Sequence, residues 1–200
     1  MAADSFLLDT AGSPTLRLYQ WDGPWLSLGY AQKPFLTEIP CVRRPSGGRA
    51  VLHHHELTYA IVLPQQSGNL SQVYQELTAL WLQTLSQICP DLSCAAEQRS
   101  GQGNASCYQL SQRGEIQREG RKLVGSAQVR RGARLLQHGS IPSEVSPWFA
   151  RVFPQAHLPA VLPGLTVEKV LAHFPRTLHR QDWSPEEVAI IDENACFHRV

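Results

Sequence analysis

The sequence predicts a single α+β domain with a mixed or antiparallel β-sheet, and three observations support this prediction. Strand-like and helical segments follow the order strands, helix, strands, helices, without the regular alternation of a doubly wound fold. The 200 residues are enough to bury one sizeable core. Neither a shift in composition nor an internal repeat divides them, so we expect a single domain over residues 1–200.

Alternating and β-branched segments predict the strands. Residues 15–20 (TLRLYQ) and 25–30 (WLSLGY) flank a turn at Asp22-Gly23-Pro24, which predicts a hairpin. Residues 58–63 (TYAIVL) form an apolar run that ends at a proline, as expected of a central strand. Two further strand-like runs cover residues 122–130 and 134–141.

Three segments have helical character. Residues 69–89 carry apolar side chains at helical spacing ahead of a proline, and residues 166–174 predict a second helix. Ser184-Pro185-Glu186-Glu187 is a capping box with proline at the first helical position, which predicts a third. Residues 142–163 contain five prolines and predict an extended linker that crosses the surface.

Composition excludes several classes of function. The net charge of +1, with 18% charged residues, lacks the basic excess of a nucleic-acid-binding surface, so we expect no nucleic-acid partner. No apolar run approaches the roughly 20 residues that span a bilayer, and no basic segment with a long apolar core stands at the N-terminus. We therefore expect no membrane association and a cytoplasmic location.

The segment 43–53 (RRPSGGRAVLH) combines cations, flexible backbone and an imidazole. Its two glycines permit positive φ and a close approach of the backbone, so that amide groups can converge on the oxygens of a ligand. Arg43, Arg44 and Arg49 would add planar donors suited to phosphate. The same residues also fit an ordinary turn with solvated arginines.

A thiol and a lysine are candidates for chemistry. The five cysteines are odd in number and fit neither a disulfide framework nor a structural zinc site, so we expect a working thiol among them. Cys107 lies fifteen positions before Lys122, and a thiolate beside a cation attacks thioesters readily. The alternatives are a cysteine without a role and a surface lysine at a hairpin.

Consecutive histidines suggest a metal site at residues 53–55. Neighbouring residues in a strand point to opposite faces, however, so three in a row cannot all bind one ion, and we predict no metal. His53 or His55 could instead face the glycine loop as a donor, and His138 is a second candidate of that kind. Each could equally be a satisfied histidine at a sheet edge.

Four motifs, in this order and spacing, carry a family resemblance: RRPSGGRAVLHHHELTYAIVLP from residue 43, ASCY from 105, EGRKLVGSAQ from 119 and LLQHGSI from 135. The chain resembles the biotin/lipoate protein ligase superfamily, and within it the lipoate-protein ligase A and octanoyltransferase branch. The resemblance runs from the N-terminus through about Ile141. It implies that family's catalytic-domain fold, a mixed, largely antiparallel sheet flanked by helices.

The resemblance also implies a site. An acyl chain would lie in a tunnel, with its carboxyl carbon beneath the RRPSGG loop. Lys122 corresponds to the family lysine that contacts the acyl carbonyl, and Cys107 to the acylated cysteine of the octanoyltransferases, so both are expected to be catalytic. The substrate-binding residues expected are Arg44, Ser46, Gly47, Gly48, Arg49, Ala50, His53, Gly125, Ser126, Ala127, His138 and Gly139.

The function implied is an acyl transfer in protein lipoylation. An octanoyl or lipoyl group would pass from acyl carrier protein, through a Cys107 thioester, to a lysine of a lipoyl carrier domain such as the glycine-cleavage H protein or a dehydrogenase E2 domain. No cofactor is needed for this transfer. Arg49, the Glu56-Leu57-Thr58-Tyr59 segment and Cys107 itself resemble the octanoyltransferases more than the ligases.

Two alternatives stay open under the same resemblance. An ATP-dependent lipoate-protein ligase would form lipoyl-AMP from lipoate, ATP and magnesium, with Lys122 and the arginines holding the adenylate and Cys107 incidental. A non-catalytic binding homologue would keep the fold without turnover. The second idea is motivated by a start where family members usually have an earlier strand, and by Tyr108-Gln109 in place of the usual Phe-Asp.

Overall fold

The computed structural model describes residues 1–65, 68–96, 106–109, 114–195 and 198. The strands are β1 (Thr15–Tyr19), β2 (Trp25–Leu28), β3 (Cys41–Arg43), β4 (Val51–His53), β5 (Glu56–Leu63), β6 (Leu92–Cys94), β7 (Ile116–Arg118), β8 (Arg121–Lys122), β9 (Gly125–Arg131) and β10 (Arg134–Pro142). The helices are α1 (Ala2–Thr10), α2 (Leu70–Ser86), α3 (Phe149–Val152), α4 (Val167–His173) and α5 (Pro185–Ala195). This mixture of antiparallel sheets and helices confirms the predicted α+β class.

The largest sheet is antiparallel, with the strand order β1-β5-β10-β9. The register places His138 of β10 opposite Ala60 on one side and opposite Ala127 on the other. β5 is buried along almost its whole length, as predicted for a central strand. The four strands therefore form a rigid platform, and β9 and β10 present their neighbouring residues at one place.

Helices cover both faces of this platform. Tyr59 of β5 packs against the fully buried Trp81 of α2, with ring centroids 4.4 Å apart. On the other face, Ala60 and Val62 pack with Leu8 of α1. Because successive side chains of a strand point to opposite faces, β5 contributes to two separate cores.

The predicted hairpin between β1 and β2 is wrong. β1 pairs with β5, whereas β2 lies in a second sheet of order β3-β2-β4, parallel to β3 and antiparallel to β4. The turn between them is closed by side chains, since Trp25 donates from Nε1 to Asp22 at 3.0 Å and Trp21 stacks on His53. These contacts direct the chain out of one sheet and into the next.

The three predicted helices are confirmed as α2, α4 and α5, and their caps explain where two of them begin. Asn69 accepts from the backbone N–H of Ser71 at 2.9 Å ahead of α2. At α5, the N–H of Ser184 donates to Glu187 at 2.8 Å and the N–H of Glu187 donates to the Ser184 hydroxyl at 3.2 Å. The capping box is therefore formed as the sequence predicts.

Residues 142–163 do not form the predicted extended linker across the surface. The segment contains α3 and buries Phe149 and Phe153 against the second sheet, while Leu162 enters the main core. Because apolar side chains between the prolines are buried, the segment packs against the core and does not cross the surface. Across the described part of the chain, no helix is both long and apolar enough to cross a membrane.

A third, antiparallel sheet has the order β6-β7-β8 and carries Lys122 at its edge. The backbone N–H of Ala160 donates to the carbonyl of Lys122 at 2.9 Å, so the inward-packed segment also fixes this strand. Lys122 is thereby held beside the end of the main sheet.

Candidate functional site

Cys107 begins a 3-10 turn, Cys107–Gln109, whose backbone is tied to the end of the glycine loop. The N–H of Cys107 donates to the carbonyl of Ala50 at 2.9 Å, and Ser106 forms a parallel bridge with Ala50. The hydroxyl of Tyr108 donates to Ser140 of β10 at 3.1 Å. Cys107 is thus fixed between the loop and the central sheet, with its side chain half-buried.

Lys122 contacts the thiol directly. Its ammonium donates to Oε1 of Glu115 at 2.8 Å and lies 3.4 Å from the carbonyl oxygen and 3.6 Å from Sγ of Cys107. The side chains of Lys122 and Glu115 are 4% and 3% exposed. Burial alone would lower the pKa of Lys122, but the negative charges of Cys107 as thiolate and of Glu115 outweigh it and raise the pKa.

Cys107, the neighbour of Lys122, lines a pocket with about 340 Å³ of empty space. Residues 125–127 at the start of β9 and residues 138–140 of β10 form one wall. Cys107, Arg44 and His53 line it from the other side. The structure therefore brings together most of the residues that the sequence indicated, although they are spread over almost a hundred positions.

Two glycines allow this close approach. A Cβ at Gly139 would lie 2.5 Å from the ring of Tyr59 and 2.8 Å from the carbonyl oxygen of Gly125. A Cβ at Gly125 would lie 3.6 Å from Sγ of Cys107. A side chain at Gly139 would therefore clash with Tyr59 and β9, whereas one at Gly125 would extend toward the thiol.

The glycine loop is closed around Arg44. Its guanidinium donates to the carbonyl oxygens of Gly47 at 2.9 Å, Arg49 at 2.6 Å and Ser27 at 3.0 Å. Gly48 takes the left-handed conformation, with φ of 91°, as the sequence suggested for this loop. Arg44 lines the pocket, whereas the other loop residues that the sequence indicated do not: Ser46, Gly47, Gly48, Arg49 and Ala50.

Ser46 is buried in the loop and bonds to His138, with Oγ 2.5 Å from Nε2. The other ring nitrogen of His138 lies 3.3 Å from Oδ2 of Asp4, which also accepts from Arg17 and Tyr19. Burial lowers the pKa of His138, although Asp4 opposes the change. A neutral His138 donates from Nδ1 to Asp4 and accepts the Ser46 hydroxyl, which links the loop to α1 and β10.

A second network runs through Glu56. Nδ1 of His53 lies 2.5 Å from Oε1 of Glu56, and Nε2 lies 2.7 Å from the hydroxyl of Ser27. Glu56 also accepts from Thr58 at 2.6 Å and from Ser140, the partner of Tyr108. This chain of hydrogen bonds connects the turn that holds Cys107 with β2 and the glycine loop.

The three consecutive histidines have different surroundings. His53 is buried and lines the pocket, whereas His54 lies 2.9 Å from the hydroxyl of Ser146 and His55 occupies a turn with φ of 56°. Among the described residues, no three His, Cys, Asp or Glu side chains are grouped so as to hold a metal ion.

Several site residues were not identified from the sequence. Glu115 pairs with Lys122, and Ser27, Thr58 and Ser140 line the pocket. Each looks like an ordinary strand or loop residue in the sequence, because its partner comes from a distant segment. For Glu115, the one sequence signal is its place at the start of the strand that precedes Lys122.

The sequence matches the model of a known protein family. Residues 1–168 match the lipoyl protein ligase A/B catalytic domain. The chain belongs to this family. The resemblance inferred from the four motifs is thereby confirmed, and so is the family fold.

The curated relatives of this chain include proteins named octanoyltransferase LipM. The protein of Carboxydothermus hydrogenoformans is 41% identical over 158 residues, which are 70% of this chain and 59% of that protein. The protein of Kyrpidia tusciae is 37% identical over 153 residues, 67% of this chain and 56% of that protein. The chain thus spans less than two thirds of the length of these relatives.

A solved structure of lipoate-protein ligase A bound with ATP shares the fold. Its TM-score is 0.74 with 17% sequence identity, covering 96% of this chain and 87% of that one. At this identity the likeness establishes the fold of the catalytic domain.

Proposed function

We propose that the chain transfers an octanoyl group through a thioester on Cys107 to a lysine of a lipoyl carrier domain. The observation that carries this proposal is the Lys122 ammonium 3.6 Å from the Cys107 Sγ at the wall of a pocket. The thiolate is the attacking form of a cysteine, and the Lys122 ammonium is close enough to pair with its negative charge. The relatives named octanoyltransferase LipM support the same class of reaction.

The first step exchanges one thioester for another. The Cys107 thiolate attacks the acyl carbonyl carbon of an octanoyl donor, the new C–S bond forms, and the donor thiolate leaves and takes up a proton. We expect the donor to be acyl carrier protein. Because one thioester replaces another of similar energy, the step needs no ATP.

The second step forms the amide. The uncharged amine of the carrier lysine attacks the acyl-Cys107 carbonyl and the C–N bond forms. The C–S bond then breaks, Cys107 leaves as a thiolate, and the proton lost by the amine passes to that thiolate or to water. Lys122 and the backbone amides of residues 125–127 would stabilise the developing oxyanion. One such donor contributes about 3 kcal/mol in comparable sites. A reducing compartment such as the cytoplasm would keep the thiol active.

The test is an ATP-free transfer assay. Purified protein is incubated with octanoyl-acyl carrier protein and an apo lipoyl domain, and octanoylated product is measured by mass spectrometry. We expect product with the wild type and with Cys94→Ala, which removes an exposed thiol on β6. Cys107→Ala should lose activity by at least about 100-fold, since no acyl-enzyme can form.

Three results would contradict this function. One is full activity of Cys107→Ala, and another is transfer that occurs only with lipoate, ATP and magnesium, as in a ligase. The third is binding of the octanoyl donor and the carrier without transfer between them, as in a non-catalytic homologue.

A further inference from the structure

Lys122 and Glu115 form a buried ion pair whose charges matter at each stage of the proposed reaction. Their side chains are almost fully buried and their charged atoms are 2.8 Å apart. A buried ammonium keeps its proton only when a nearby negative charge compensates for lost hydration. Among the described residues, the carboxylate paired with Lys122 is that of Glu115.

The charge on Cys107, the second neighbour of Lys122, changes during the proposed reaction. In the form that attacks the donor, the Cys107 thiolate is a second anion 3.6 Å from the Lys122 ammonium. Once Cys107 carries the acyl group, its sulfur is part of a neutral thioester and offers no charge. The acyl-enzyme is therefore the stage at which Lys122 depends most on Glu115, and it is also the stage at which the oxyanion of the second step develops.

We propose, building on the transfer through Cys107, that Glu115 is a positioning residue that keeps Lys122 charged while Cys107 carries the acyl group. Glu115 contacts Lys122 and acts through it. Loss of its charge should spare the attack of Cys107 on the donor, because the thiolate then pairs with Lys122. The same loss should slow the attack of the carrier amine on acyl-Cys107.

Other titratable groups face this ion pair from the surrounding elements. Tyr74 of α2 donates to Oε1 of Glu115 at 3.4 Å, and Tyr59 of β5 and Tyr108 of the 3-10 turn lie close by. Burial raises the pKa of Tyr59 to about 12 and raises those of Tyr74 and Tyr108 as well. All three stay uncharged near neutral pH, so among the described residues the charged groups at this ion pair are Cys107, Glu115 and Lys122, with the Arg44 guanidinium also close enough to interact with the charge of Cys107.

The two half-reactions separate this role from a structural one. Octanoyl-Cys107 formation from octanoyl-acyl carrier protein is followed by intact mass, and its discharge is followed after addition of apo lipoyl domain. For Glu115→Gln we expect acylation within a few-fold of the wild type and discharge slower by about 100-fold. Glu115→Asp, which keeps the charge, should recover much of the discharge rate.

Glu119→Gln is the matched control, because Glu119 is exposed and pairs with Arg121 at the surface. It should leave both half-reactions unchanged. Equal slowing of acylation and discharge in Glu115→Gln, or an unchanged discharge, would overturn the proposal. Failure of the wild type to form octanoyl-Cys107 would instead overturn the proposed function.

A second measurement does not depend on turnover. The chain has three lysines, Lys33, Lys122 and Lys169, so isotope-labelled lysine gives a simple NMR spectrum. After alkylation of Cys107 by iodoacetamide, which leaves a neutral sulfur, Lys122 should still be an ammonium at neutral pH in the wild type, because Glu115 remains beside it. In alkylated Glu115→Gln it should lose its proton at lower pH; a neutral Lys122 in the alkylated wild type would overturn the proposal.

Discussion

Arg43 and Arg44 show how residue-level expectations changed. The sequence suggested planar donors for a ligand, but Arg43 donates to the carbonyl oxygens of Gly29, Tyr30 and Gln32. Arg44 likewise bonds to carbonyls of its own loop and of β2. A guanidinium has several donors in a fixed plane, so it suits converging carbonyls as well as a phosphate. Composition cannot distinguish the two uses, since the carbonyls that Arg43 contacts belong to a segment more than ten residues away.

The buried His138 gives the protein a residue-level dependence on pH. Burial lowers the pKa of His138 in the folded state. The ring bonds to Ser46 and Asp4, and Asp4 also accepts from Arg17. In the unfolded chain a histidine titrates near its ordinary pKa of about 6.5. Below that pH the unfolded state binds more protons, so stability is fully present above about pH 6.5 and falls as the pH decreases.

We therefore expect the free energy of unfolding to decrease as the pH falls below about 6.5, with a slope from His138 of at most about 1.4 kcal/mol per pH unit. Urea denaturation at several pH values measures the slope. His138→Gln should flatten it, whereas His157→Gln, at an exposed position, should leave it unchanged. An identical slope in wild type and His138→Gln would contradict the account.

At the scale of elements, the end of β2 and the glycine loop are in direct contact. A Cβ at Gly29, the residue after β2, would overlap the carbonyl oxygen of Gly48. The N–H of Tyr30 donates to the carbonyl of Ser46 at 2.9 Å, which fixes the same contact. The position of the loop beside β2 thus depends on a residue without a side chain.

Gly29→Ala should displace the loop and lower the free energy of unfolding by about 1–3 kcal/mol, as overpacking does in a tight interior. We expect octanoyl transfer to fall by about 10- to 100-fold, because small displacements of a site cost rate. Gly12→Ala is the control, since a Cβ there meets no atom within 4 Å. Equal activity and stability of the two variants would show that the contact does not position the loop.

The elements also show what local sequence decides. α2 and α5 begin where Asn69 and Ser184 cap them, so the residues at each helix start determine where the helix begins. The partner of β1 is not decided locally. β1 lies beside β5, some forty residues away, because apolar faces on both sides of β5 must be buried. No turn motif near β1 indicates this pairing.

For the whole molecule, the fold class, the central strand and most of the pocket wall could be predicted from motifs and periodicity. Cys107, Lys122, residues 125–127 and His138 do converge. The roles of Glu115 and Glu56 could not be predicted, because the role of a buried carboxylate depends on partners that only the tertiary fold brings near it.

We infer that residues 1–200 fold as one domain, since Trp183 ahead of α5 packs edge-on against Phe6 of α1.

The most direct test of the central claim is capture of the acyl-enzyme. Wild-type protein is mixed with octanoyl-acyl carrier protein without ATP, quenched in acid and digested, and the octanoyl group is located by peptide mass spectrometry. We predict one octanoyl thioester on Cys107 that disappears, with matching gain of octanoyl-lysine, when apo lipoyl domain is added before the quench. An octanoyl group that never occurs on Cys107 while the carrier becomes modified, or one that stays there after the carrier is added, would contradict the account.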